Sequence, residues 1–142
     1  MMRPVSASAH LEQPPERVFE FLADLRNHWR LTQRLAALET LDGDGAGGRV
    51  RIGGPLGLSR VARTRVVGMD PPRALHGQAH VGRRTVGLVH WRIEPNGQGS
   101  HVTLSAVVER ATRLDRLILA VGGRRLLARA FADVVAQLGR VA

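Results

Sequence analysis

The 142-residue chain has no cysteine, no lysine and no tyrosine, and only 4% of it is aromatic. Without cysteine there is no disulfide frame, no thiolate nucleophile and no thiolate metal site. The longest apolar run, "LILAV", is far too short to cross a bilayer as a helix. The first residues, "MMRPVSASAH", lack the apolar centre of a secretory leader. A cytoplasmic location is the expectation. No glycine-rich phosphate loop is present either: "GGRVRIGG" precedes no helical pattern and reads as a turn followed by a strand.

What the chain does have is enough apolar content, 44%, to build one core, so residues 1–142 are read as a single domain. Its net charge is +9, and all 21 basic side chains are arginine. Such a balance favours anionic partners in general. The pattern does not select one. Arg49, Arg51, Arg63, Arg65 and Arg92 fall on strands and Arg113, Arg116, Arg124, Arg125 and Arg129 on the last helix. The outward strand positions carry no aromatic residues to stack on bases, as single-strand binders do, so a nucleic-acid partner is disfavoured against a solvated basic surface.

Val5, Ala7, Ala9 and Leu11 alternate with Ser6, Ser8 and His10, which reads as a half-buried strand. Pro14 and Pro15 end it, because proline cannot donate to a strand ladder, and Pro15 suits the first turn of a helix. Val18, Phe19, Leu22 and Leu25 repeat at helical spacing. "RNHWRLTQRL" reads as a second short helix carrying Trp29, Leu31 and Leu35. From Ala36 the pattern turns to strands: "AALETL", "RVRIGG", "SRVARTRVVGM", "ALHGQAHV", "TVGLVHWRIE" and "HVTLSAVVERA", joined by turn clusters such as "DGDGAGG", "DPPR" and "PNGQGS". The tail from Thr112 is helical, with Leu114, Leu117, Ile118 and Val121 in one stripe and Leu127, Phe131, Val134, Leu138 and Val141 in the next. Gly122-Gly123 between them predicts a kink.

Alternate residues of a strand face opposite sides of the sheet. If the apolar set faces the helix, the inner residues are Val5, Ala7, Ala9, Leu11, Val50, Ile52, Ala62, Thr64, Val66, Leu75, Gly77, Ala79, Val81, Gly87, Val89, Trp91, Ile93, Val102, Leu104, Ala106 and Val108. His10, His76, His80, His90, His101 and the strand arginines then face outward. A three-residue loop at Gly82–Arg84 sets Trp91 opposite Leu75 and Val89 opposite Gly77. The turn near Asn96-Gly97 sets Ile93 opposite Val102. Both hairpins keep the facing sets in phase, as register demands.

Many inner residues are small, so either a cavity lies beneath the helix or the helix packs close. The inner list contains one polar side chain, Thr64, and no carboxylate. His76 and His90 become cross-strand neighbours on the outer face, but two imidazoles with no third ligand make a poor zinc site, so no metal and no cofactor is expected.

The order is β-α-α-β-β-β-β-β-β-α. Through "LEQPPERVFEFLADLRNH", "VVGMDPPRAL", "WRIEPNGQGSHVTLS" and "LLARAFADVVAQL" it resembles the helix-grip proteins of the START-like (SRPBCC) superfamily, which includes the birch pollen allergen and the polyketide cyclase/dehydrase and lipid-transport proteins. That resemblance implies an α+β fold with a curved seven-stranded antiparallel sheet wrapped around a long C-terminal helix. It also implies two short helices closing one side and a ligand cavity between sheet and helix. The expected cavity residues are Trp29, Leu35, Val50, Ile52, Thr64, Val66, Gly77, Ala79, Gly87, Val89, Trp91, Leu104, Ala106, Leu127 and Phe131. The expected partner is a small hydrophobic or aromatic molecule such as a lipid or polyketide. A cyclase or dehydrase in the same cavity is the alternative, with Arg26, His28 and Arg34 as the groups able to polarise a carbonyl or move a proton. A basic module for an anionic partner is the second alternative.

Overall fold

The computed structural model describes residues 4–24, 27, 36–41, 47–53, 59–82 and 84–141. The expected second short helix, with Arg26, His28, Trp29, Arg34 and Leu35, lies outside the described residues. Strand β1 (Val5–Leu11) leads into helix α1 (Pro15–Ala23). Pro14 stands in extended backbone and Pro15 opens the helix, while the Pro14 carbonyl accepts the Arg17 and Val18 amides. Proline here removes a donor that a first helical turn leaves unused anyway. Val18, Phe19 and Leu22 form the buried side of α1.

Six strands follow: β2 (Ala36–Leu41), β3 (Gly47–Gly53), β4 (Ser59–Asp70), β5 (Ala74–Val81), β6 (Thr85–Asn96) and β7 (Gly99–Arg110). They pair in sequence and β1 closes onto β7, which gives one seven-stranded antiparallel sheet of order β1-β7-β6-β5-β4-β3-β2. The hairpin registers are those the sequence implies. Trp91 stands opposite Leu75, Val89 opposite Gly77, and Ile93 opposite Val102. Gly82 and Gly97 take positive φ at the two tight turns, where a side chain would be strained. Asp70–Arg73 turns through a cis Pro71-Pro72 bond.

The chain ends in helix α2 (Arg113–Ile118), a π-type turn (Leu119–Gly123) and helix α3 (Arg124–Val141). Gly122 has φ 131° inside that turn, so the axis breaks at the expected glycine pair. A Cβ on Gly123 would meet the Ile118 carbonyl oxygen at 2.7 Å, so this turn tolerates no side chain there without moving.

The sheet presents its apolar set inward. Val50, Ala62, Leu75, Trp91, Ile93, Val102 and Leu104 are buried, whereas Arg49, Arg51, Arg63, Arg65, His76, His80 and Arg92 are exposed. Helix α3 lies along β1 and, less closely, β7; α1 covers β5, β6 and β7. Val134, Val135 and Leu138 of α3 meet Leu11, Leu75, Trp91, Ile93, Val102 and Leu104, with Val18, Phe19 and Leu22 of α1, in one core. That core therefore sits at the end of the sheet shared by α1 and α3. Polar bonds lock this end. The Ser100 hydroxyl donates to the Gln13 carbonyl at 2.7 Å, and the Gln13 side-chain amide donates to the Gly139 carbonyl at 3.2 Å. A Cβ on Gly99 would collide with the Leu11 carbonyl, so only glycine allows β7 to start this close to β1.

Candidate functional site

Because α3 follows β1 and β7, it leaves the inner face of β4–β6 less closely covered. Thr64, Val66, Gly77, Ala79, Gly87 and Val89 are half-buried there, in contrast to their fully buried neighbours Ala62, Leu75 and Trp91. Paired register brings them side by side: Thr64 opposite Ala79, Val66 opposite Gly77, and Gly87 opposite Ala79 on its other side. The Thr64 hydroxyl lies 3.5 Å from the Gly48 carbonyl oxygen. A Cβ on Gly87 would make only ordinary contact, 3.9 Å from the Val107 oxygen.

Toward β1 the space between sheet and helix opens into a cleft of about 310 Å³. Val5, Ala106 and Val108 supply its floor, and Arg116, Leu119, Ala120, Arg124 and Leu127 its other wall. The π-type turn contributes two of the lining residues, Leu119 and Ala120. Arg124 also donates to the Pro4 carbonyl at 3.0 Å, which ties the start of α3 to the start of β1.

Of the expected cavity residues, Ala106 and Leu127 line this cleft. Val66, Val89 and Phe131 are partly buried against the core, and Trp91 (4% exposed) and Leu104 are members of it. Val50 is buried, and Ile52 takes its place in the backbone register opposite Ala36 and Arg60. Thr64, Gly77, Ala79 and Gly87 belong to the β4–β6 floor described above.

The inner face is expected to hold a single polar side chain, but at its far end it holds a buried ionic cluster. Asp115 of α2 is 6% exposed. Its carboxylate takes Arg60 Nε at 3.1 Å and Arg60 Nη2 at 3.2 Å, the hydroxyl of Thr112 at 3.0 Å, and the hydroxyl of Thr85. The Thr112 amide donates back to Thr85 Oγ1 at 3.1 Å, and the Asp115 amide to Thr112 Oγ1 at 3.2 Å. Arg60 and Thr85 continue the inward phase of β4 and β6 one step past Ala62 and Gly87, where the inner list stops. Only the cap of this cluster has a local signal. "TRLD" has the spacing of an N-cap threonine with an acid three residues on. With three hydrogen bonds gathered on Oδ2 and Arg60 Nε facing Oδ1 as an ion pair, this carboxylate is suited to pinning α2 on the sheet.

On the outer face, His76 and His90 are opposed, with ring centroids 4.2 Å apart. Burial, then the neighbouring His76 and Arg92, hold the His90 imidazole below its usual range. No group of three metal-ligating side chains occurs among the described residues. No helix among them is long and apolar enough to cross a membrane.

A curved antiparallel sheet gripping one long kinked helix over an apolar space defines the helix-grip class. The family model for polyketide cyclase/dehydrase and lipid transport proteins matches residues 2–142, so the chain belongs to that family. Solved structures agree on the fold. TTHA0849 from Thermus thermophilus is 18% identical and superposes with a TM-score of 0.69, covering 97% of this chain and 95% of that one. Ms6760 from Mycobacterium smegmatis is 15% identical with a TM-score of 0.70, over 97% and 89% of the two chains. Ara h 8.0201 is 13% identical with a TM-score of 0.60, over 96% and 97%. No curated protein matches the sequence.

Proposed function

We propose that this protein binds, and carries, a small hydrophobic or aromatic molecule such as a lipid or polyketide between the sheet and the kinked C-terminal helix. The observation that carries the reading is the apolar cleft of about 310 Å³ over Val5, Ala106 and Val108, which adjoins a helix whose packing leaves the β4–β6 floor half-covered. Cavities of this size suit drug-sized ligands. Burying about 300 Å² of apolar ligand surface is worth roughly 7 kcal/mol at ~25 cal/mol per Å², before ordering costs. Micromolar affinity corresponds to about 8 kcal/mol, so shape and a few polar contacts suffice. Arg116 and Arg124 at the cleft wall fit a ligand whose polar end carries a carboxylate or carbonyl.

The test fills the space. Ala106→Trp puts an indole into the cleft, and Ala79→Trp puts one on the β5 floor. Each is expected to weaken binding of a fluorescent apolar probe such as N-phenyl-1-naphthylamine by about tenfold or more, while the thermal transition persists. Unchanged probe affinity in a folded Ala106→Trp variant would contradict binding in the cleft. Native mass spectrometry of freshly purified protein identifies any co-purifying molecule.

A further inference from the structure

From Arg110 to Ala132 the chain carries six arginines and a single acid, Asp115. That acid is buried and held by Arg60, so this stretch shows no carboxylate to solvent. Helix α2 turns Asp115 toward the sheet. At about 100° per residue, the opposite pole falls on Arg113 and Leu117, with Leu114 on the flank. Leu114 is 53% exposed and Leu117 58%. In the first turn of α3, Leu126 and Arg125 are exposed as well. The result is an outward apolar pole set among guanidiniums.

The candidate occupants differ in how much of this surface they satisfy. A second copy meeting this pole with its own, about a two-fold axis, would bring arginine against arginine. A nucleic acid would take the guanidiniums but leave the leucines in water, with no aromatic side chain in the pole to stack on a base. A bilayer with anionic headgroups takes both parts at once, leucines at the acyl boundary and arginines at the phosphates.

We propose that the outer side of α2 and the first turn of α3 form a docking surface for an anionic phospholipid bilayer. Leu114 and Leu117 enter the boundary between headgroups and acyl chains, and Arg113 and Arg125 pair with lipid phosphates. The surface rests on exposure and charge, so it stands whatever molecule the cleft holds.

The experiment is co-sedimentation of the full chain with unilamellar vesicles of phosphatidylcholine, with and without phosphatidylglycerol, at low and high salt. Binding is expected to the phosphatidylglycerol vesicles and to weaken in high salt. The double variant L114S/L117S is expected to lose at least about tenfold in partitioning, and R113E/R125E to lose it at low salt, each with the wild-type thermal transition. All four positions are exposed, so folding is not at stake. Wild-type protein that fails to sediment with phosphatidylglycerol vesicles overturns the proposal, as does a leucine variant that binds as tightly as wild type. Self-association of the wild type in sedimentation velocity, abolished by L114S/L117S, would assign the pole to a second copy and likewise overturn it.

Discussion

His90 shows how one residue reads its surroundings. Its ring is partly buried on the outer face beside His76, and both burial and the adjacent imidazole disfavour its charged form. In the unfolded chain His90 protonates near pH 6.5; in the folded chain it holds out to lower pH. Between those two values the unfolded state binds more protons, so folding stability rises with pH there and falls on acidification below about 6.5. Replacing His76 with glutamine removes one of the two neighbouring charges that hold the pKa down. His76→Gln is therefore expected to lose less stability between pH 7.5 and 5.5 than wild type does. Thermal denaturation at the two values measures it, and an equal or larger loss in the variant would contradict the account.

At the scale of elements, α2 depends on its own cap and on two distant partners. A six-residue helix is too short to stand alone in water; here Thr112 caps it and Asp115 fastens it to Arg60 of β4 and Thr85 of β6. Asp115→Ala leaves Arg60 facing a partly buried site without its counter-charge. Breaking a fully buried pair costs about 3–5 kcal/mol. Because the Arg60 side chain remains about one-third exposed, a loss of about 2 kcal/mol in urea denaturation is expected, against about 1 kcal/mol for Thr112→Ala. Equal stability of Asp115→Ala and wild type would mean that the cluster holds nothing. Much of the rest was legible in the sequence at this scale. The Gly82–Arg84 and Asn96-Gly97 turns fixed two registers, Pro14-Pro15 fixed the start of α1, and Gly122-Gly123 fixed the kink, because each acts through its immediate neighbours. The pin was hidden because Arg60 and Thr85 lie 55 and 30 residues from Asp115. The extra residues where pairing slips at Val66/Gly68 and Val86/Gly87 were hidden as well, since apolar alternation runs on through a bulge. The lie of α3 along β1 rather than across the sheet follows from tertiary packing, to which the helical stripe of Leu127, Phe131, Val134 and Leu138 is indifferent.

For the whole molecule, the uneven core is the central fact. Among the described residues, apolar side chains from α1, α3, β1, β5, β6 and β7 are packed together at one end, while the inner face of β4–β6 is half-buried and a cleft opens beside β1. On the proposed reading a bound apolar molecule fills that space, and ligand and fold are then thermodynamically linked. A ligand present at a hundred times its dissociation constant adds about 2.7 kcal/mol to stability. For a domain of this length that is about 5–10 °C in Tm. Protein stripped of bound molecules by organic solvent and refolded is therefore expected to melt lower than the fresh preparation, and to recover on adding back the extract. Differential scanning calorimetry on the three samples measures this. Identical transitions for fresh, stripped and reloaded protein, with a co-purifying molecule seen by native mass spectrometry, would place that molecule outside the space between sheet and helix.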